Sequence, residues 1–340
     1  MSPEEALHRH LAPQIRGLLV EDPSSREQRR HALVSVGQCD EGAIADMVAT
    51  HGLAHEKLFM QTPEADMAHI GPWLIELPPV PSDALLHALA RVAAAEAVSF
   101  LRSALHPLKL AEHLRGFMSG VLLDGSPVLL RYFDPRIGFD MLTHWPDGVR
   151  QHFLAPLAWW AGWDAGLQPR RFHGASEAPA PSLGDAVIEL SAEWLKAIDA
   201  VGEPQLTVAM LAEALSETDS RASRELSALH PWLCRQIARD ALVFARSAGF
   251  DGWDDRVLAC KLALLVHPRF HAAPGFTAAR EGLRGQPLRD VMATLPTALR
   301  EAWVHDRGHA VAQLFADAVR SLRSFPLPTG SPADNLLGAP

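Results

Sequence analysis

Apolar positions change their period along the chain, and that change sets its organisation. The first thirty residues read as an amphipathic lead-in that closes in the charged run from Ser24 to Arg30. From His31 onward, short apolar runs alternate with helical spacing. Ala32-Leu33-Val34-Ser35-Val36, rich in β-branched residues and bounded by Gly37, predicts a buried strand. Ile44, Met47 and Val48 predict a helix over 41–51, and a second apolar run follows from Lys57 to Met60. This βαβ-like rhythm predicts at least partly parallel pairing. Trp73 to Leu77, closed by Pro78, Pro79 and Pro81, continues it. A helix is expected from Ser82, as N-cap, to Glu96, then a strand over Val98–Leu101 and a helix over Pro107–Phe117. Val121-Leu122-Leu123 and the run Val128 to Phe133 read as a β-hairpin around a four-residue loop, Asp124 to Pro127.

The second half differs. Gly166 to Gly184, with Pro169, Gly174, Pro179 and Pro181, reads as a linker. Beyond it the spacing is helical throughout. One stripe holds Leu226, Leu229, Leu233, Ile237, Ala241 and Phe244. A second holds Val257, Leu258, Leu262 and Leu265, after a helix cap expected at Asp251. A third holds Val304, Val311, Leu314, Phe315, Val319 and Leu322. The predicted fold is an α/β N-terminal lobe, a mixed sheet with flanking helices, followed by an all-α C-terminal lobe. The expected boundaries are a lead-in over 1–30, an α/β domain over 31–165, a linker over 166–184, a helical domain over 185–324 and a disordered tail over 325–340.

Composition narrows the function classes. The chain has 340 residues, 48% hydrophobic and 21% charged, which supplies a core to each half. A formal charge of −9 leaves no global basic field for nucleic acid or anionic lipid. Cys39, Cys234 and Cys260 stand far apart without a CxxC, so a reduced, cytoplasmic chain is expected. The N-terminus lacks the layout of a signal peptide. The apolar stretch Phe153 to Trp163 is interrupted by Pro156 and falls short of the about 18 residues that a membrane span needs. Neither membrane insertion nor nucleic-acid binding is expected.

Catalytic signatures are missing: there is no GxGxxG, GxxxxGK[ST], GxSxG, HExxH or EF-hand loop. The 17 histidines include three pairs four apart, His51/His55, His267/His271 and His305/His309. On one helix face such a pair suits a divalent metal, and Asp306 would add a ligand to the third. A metal-dependent hydrolase built on His305, Asp306 and His309 is therefore the alternative reading. Against it, Gly308 separates the pair and an apolar stripe flanks it, while Pro268 breaks the helix between His267 and His271. Cys234 and Cys260 lie in apolar stripes and read as core residues, and nothing marks Cys39 as a nucleophile. No catalytic residue, metal or cofactor is assigned. Trp159, Trp160 and Trp163 read either as core or as an exposed anchor, with Trp232 and Trp253 as further candidate partner contacts.

Two segments carry more than composition. The first is Ala68 to Leu77, containing Gly71-Pro72-Trp73-Leu74 and preceded by Leu58-Phe59-Met60. The second runs from Leu123 through Arg131-Tyr132-Phe133-Asp134-Pro135-Arg136, followed by Gln151 to Pro156. Between them lies Phe100-Leu101-Arg102-Ser103, leading to Leu110–Leu114. In this order and spacing, over residues 30 to 165, the chain resembles the type VI secretion effector adaptors, or effector chaperones. The run Leu33 to Val36 is a looser fit to that family's opening strand. The resemblance implies a non-enzymatic protein without cofactor. Its partners would be a toxic effector, bound in the producing cell, and the VgrG spike or its PAAR tip, onto which the effector is loaded. Effector regions that need a chaperone are often apolar, so an exposed hydrophobic groove using both lobes is the expected grip. The motif residues read as mainly structural. Gly71 and Pro72 would make a sharp entry to the strand at Trp73. Asp134 would cap a helix beginning at Pro135, with Arg131 placed to pair with Asp134 or Asp140.

Overall fold

The computed structural model describes residues 3–20, 28–174 and 188–325. The expected tail beyond Phe325, most of the run from Ser24 and the second half of the expected linker lie outside them. The lead-in is a single helix, α1 (Pro3–Val20), whose Leu7, Leu11, Ile15, Leu18 and Leu19 are buried. Then come β1 (Arg29–Ser35), α2 (Glu41–His51), β2 (His55–Lys57), β3 (Pro72–Leu77), α3 (Asp83–Ala94), β4 (Val98–Ser103) and α4 (Pro107–Arg115). β5 (Ser119–Val121) and β6 (Pro127–Leu129) precede α5 (Pro135–His144), α6 (Asp147–Leu154), β7 (Leu157–Trp163), β8 (Pro169–His173) and β9 (Ile188–Glu189). The remainder is helical: α7 (Ala192–Thr218), α8 (Ser220–Ser227), α9 (Pro231–Ser247), α10 (Trp253–Leu265), α11 (Pro274–Gly282), α12 (Leu288–Ala293) and α13 (Thr297–Ser321). An α/β lobe followed by a helical lobe is therefore what the chain folds into.

The expected parallel pairing is corrected. The large sheet, in the order β2-β3-β1-β4-β7-β8, is antiparallel at every pair, and among the described residues a parallel pair occurs only in the small sheet, between β5 and β9. The physical reason is burial. Helices cover both faces of the large sheet, so its strands read as unbroken apolar runs, the signature usually left by parallel sheets. Ala32, Val34, Trp73, Ile75, Phe100, Trp159 and Trp163 face one core, shared with α1, α3 and the helical lobe. Leu33, Leu74, Leu101 and Trp160 face a second, formed with α4, α5 and α6.

The lobes are fused rather than strung apart. The first core runs without a break from the sheet to Trp232, Ile237, Cys260 and Phe315 of the helical lobe. The segment read as a linker opens with β8, paired to β7, and the segment read as purely helical opens with β9, paired to β5. Trp194, in the first turn of α7, donates its indole N–H to the Met141 carbonyl at 3.4 Å. Local details follow the expected chemistry at most ends. Ser82 caps α3 by accepting from the Leu85 N–H, and the hairpin closes at Gly125 (φ 81°). Its loop is longer and its strands shorter than expected, Val121 pairing with Pro127, so that Leu123 is exposed. At α10 the capping residue is Gly252, one beyond Asp251.

Candidate functional site

The Arg131–Arg136 corner is built by its own side chains. α5 begins at Pro135, and Asp134 caps it by accepting from the Arg136 N–H at 3.1 Å. The Asp134 carboxylate also takes Arg136 Nε at 2.9 Å and Nη2 at 2.7 Å, a two-pronged clamp, together with Arg131 Nη2 at 2.9 Å. Of the two partners left open for Arg131, the structure selects Asp134; Asp140 pairs with Arg170 instead. The Asp134 side chain is 3% exposed and that of Arg131 is 49%, so a buried carboxylate holds one guanidinium at the surface. Tyr132 anchors the turn from below, donating its hydroxyl to the Leu114 carbonyl at 2.7 Å. α5 rides directly on this turn, since a Cβ on Gly138 would overlap the Tyr132 carbonyl.

This corner forms one wall of a cleft of about 480 Å³ at the lobe junction. Its other walls come from α1 (His8), the turn after β1 (Gly37 and Gln38), the end of α3 (Arg91, Ala94 and Ala95), α7 (Gln205) and the start of α9 (His230, Pro231 and Arg235). Arg235 is buried and ion-paired with the buried Glu96, which follows α3 in a left-handed conformation, φ 55°. Burial, and then the nearby Arg239, lower the Arg235 pKa to about 10, so it stays charged at neutral pH. Its Nε has no hydrogen-bond partner among the described residues, nor has Gln38 Oε1. Arg91 is exposed at the rim. Cys39 lies close enough to Arg136 to feel its charge, yet burial pushes its thiol up to about 11, which excludes a standing thiolate.

A second cleft, of about 320 Å³, lies further along α9. Ala200, Val201, Pro204, Leu242 and Val243 line it, with Asp140, Asp164, Arg239 and Arg246 among its polar residues. This is the more apolar of the two junction clefts and has the two-lobed character expected for a hydrophobic grip.

The tryptophans fall elsewhere. Trp159, Trp160 and Trp163 stand on β7, in the middle of a covered sheet; Trp160 is 0% exposed and donates to Ser99 Oγ at 2.8 Å. Trp232 is buried against Phe315. An exposed anchor at these four positions is therefore corrected: alternation along β7 sends its tryptophans into both cores, and none reaches solvent. Trp253, 39% exposed at the start of α10, is the accessible one of the five. Trp73 is buried beneath His55, stacked at 4.8 Å, and Lys57, 4.4 Å above the ring. Gly71 is needed for close approach rather than for a turn conformation, since a Cβ there would overlap the Phe59 ring. Pro72 opens β3 and pairs with Ser35.

His305 and His309 are both exposed on α13, and Asp306 faces His267 at 3.4 Å. The regular helix continues through Gly308. Among the described residues no three His, Cys, Asp or Glu side chains converge to hold a metal ion. Arg91, Arg136 and Arg235 were not singled out by sequence reasoning. Arg235 did leave a signal, a charge set inside the apolar stripe of α9.

A covered antiparallel sheet fused to a helical bundle, with an arginine-lined cleft where they meet, defines a two-lobed α/β–α protein. Residues 32–152 match the model of DUF4123, a domain of unknown function. No curated protein and no solved structure matches the chain. No helix among the described residues is long and apolar enough to cross a membrane.

Proposed function

We propose that this protein is a non-enzymatic adaptor that binds a type VI secretion effector in the cytoplasm and helps load it onto the VgrG or PAAR spike. The observation that carries the reading is the Arg131–Arg136 corner. It belongs to the motif set that resembles the effector adaptors, it lies within the region matching the domain of unknown function, and it forms a wall of the junction cleft. At that wall the buried Asp134 carboxylate holds the Arg131 guanidinium half-exposed. The two junction clefts supply complementary surfaces, one charged and one more apolar, on two lobes joined by a continuous core. The metal-hydrolase alternative rests on His305, Asp306 and His309, and among the described residues no three such side chains converge to hold a metal ion.

The test is a pull-down of the tagged full chain from its own cell lysate with mass spectrometry. Near-stoichiometric recovery of one large protein that is toxic when expressed alone, or of a spike component, is the expected result. A partnerless protein carrying a stoichiometric metal ion would overturn the reading.

A further inference from the structure

Resting on the adaptor reading, we infer that the arginine-lined cleft recognises a carboxylate-rich peptide segment of the partner. The first ground is charge. The chain as a whole carries −9, yet at this cleft four guanidiniums, of Arg91, Arg131, Arg136 and Arg235, meet two buried carboxylates, Asp134 and Glu96. Two positive charges are left over at this cleft between the lobes. A local basic cleft on an acidic body draws in a matching acidic segment and repels acidic surfaces elsewhere, which favours orientation over general stickiness.

The second ground is the donor pattern. Arg131, Arg136 and Arg235 line one cleft, each held by a buried carboxylate. Guanidinium forks match carboxylates geometrically. A carboxylate-bearing peptide matches these forks without the broad basic field that nucleic-acid binding draws on, which a chain of net charge −9 lacks. Pre-organisation adds to this: Asp134 and Glu96 fix three of the four guanidiniums before any partner arrives, so less side-chain freedom is lost on binding. The Arg91 guanidinium has no ion pair or hydrogen bond among the described residues, which makes it the charge most available to an incoming carboxylate.

The test is fluorescence anisotropy on the full chain at low salt, with a rhodamine-labelled octa-glutamate peptide as probe and octa-lysine as control. The glutamate peptide is expected to bind, and the double variant Arg91→Ala/Arg131→Ala to weaken it at least tenfold without lowering the thermal melt. Arg91→Ala alone, which breaks no internal contact, keeps the test readable if the double variant is unstable. Absence of binding, or binding that neither variant weakens, overturns the inference. So does displacement of the peptide by a short DNA duplex or by millimolar inorganic phosphate at equal charge, which would assign the cleft to nucleic acid or to a small anion. In the lysate pull-down, Arg91→Glu/Arg131→Glu is expected to lose the partner. Retention of the partner by that variant overturns the inference and leaves the adaptor reading standing. Peptide binding without any partner in the wild-type pull-down does the reverse.

Discussion

Two regions stand out in this chain, the tryptophan strand β7 and the Arg131–Arg136 corner, and the structure assigns them opposite parts. The strand, with Trp159, Trp160 and Trp163, has the residue type most enriched at interfaces but is sealed between two cores. The corner has the residues of an internal lock but lines an open cleft. The difference teaches that aromatic content measures how much area a segment can bury, not what it buries that area against. Where a carboxylate is buried beneath a guanidinium, the exposed member of the pair marks the surface.

The comparison breaks most visibly at Trp160. Replacing it with alanine is expected to cost about 3–5 kcal/mol in a urea melt, because a fully buried indole packed on Phe139 and Phe153 leaves a cavity. An unchanged melt with lost partner binding would return β7 to the role of a grip.

His31, on β1 of the same sheet, sharpens the core side. Burial holds its pKa down at about 4, with Glu76 and Arg29 acting in opposite senses, and neither ring nitrogen has a partner among the described residues. The folded state therefore keeps the ring neutral, while the unfolded chain protonates near 6.5. Stability contributed by the neutral ring is whole above 6.5 and falls as the pH drops towards 4, by about 3 kcal/mol over that window. Equilibrium unfolding against pH should show this limb, and His31→Val should flatten it.

On the other side of the comparison, Asp134→Ala is expected to destabilise by about 2–3 kcal/mol, through the lost helix cap and a half-buried Arg136 left without its partner. Asp134→Asn, which keeps an oxygen at the cap, should recover about 1 kcal/mol of that in chemical denaturation. If both variants cost the same, the cap contributes nothing. The smallest effect is expected at Arg91, where alanine should shift stability by less than about 0.5 kcal/mol while still weakening the peptide complex.

Much of the fold was legible because its signals are local. Ser82 and Asp134 cap helices through their own side chains, Pro107 and Pro135 open helices where a missing N–H costs nothing, and Gly125 turns a hairpin. Strand direction was not legible. The runs at β1, β3 and β4 are apolar on both sides, and a doubly covered strand has the same pattern whichever way its neighbour points. Nor was the strand inside the first half of the expected linker legible, since a run that opens at Pro169 and stops before Gly174 suits a short edge strand as readily as a flexible connection.

The candidate site divides along the same line. The order of residues gave half of the lock, Asp134 as a helix cap with Arg131 in reach, while the fold chose Asp134 over Asp140 and added Arg136. The cleft was decided only by tertiary structure. It needs Arg91 from the end of α3 and Arg235 from the first turns of α9, brought beside that lock by a hydrophobic core that runs through both lobes. Charges that are distant in sequence carry no mark of being neighbours until burial of the apolar residues around them fixes where each helix ends.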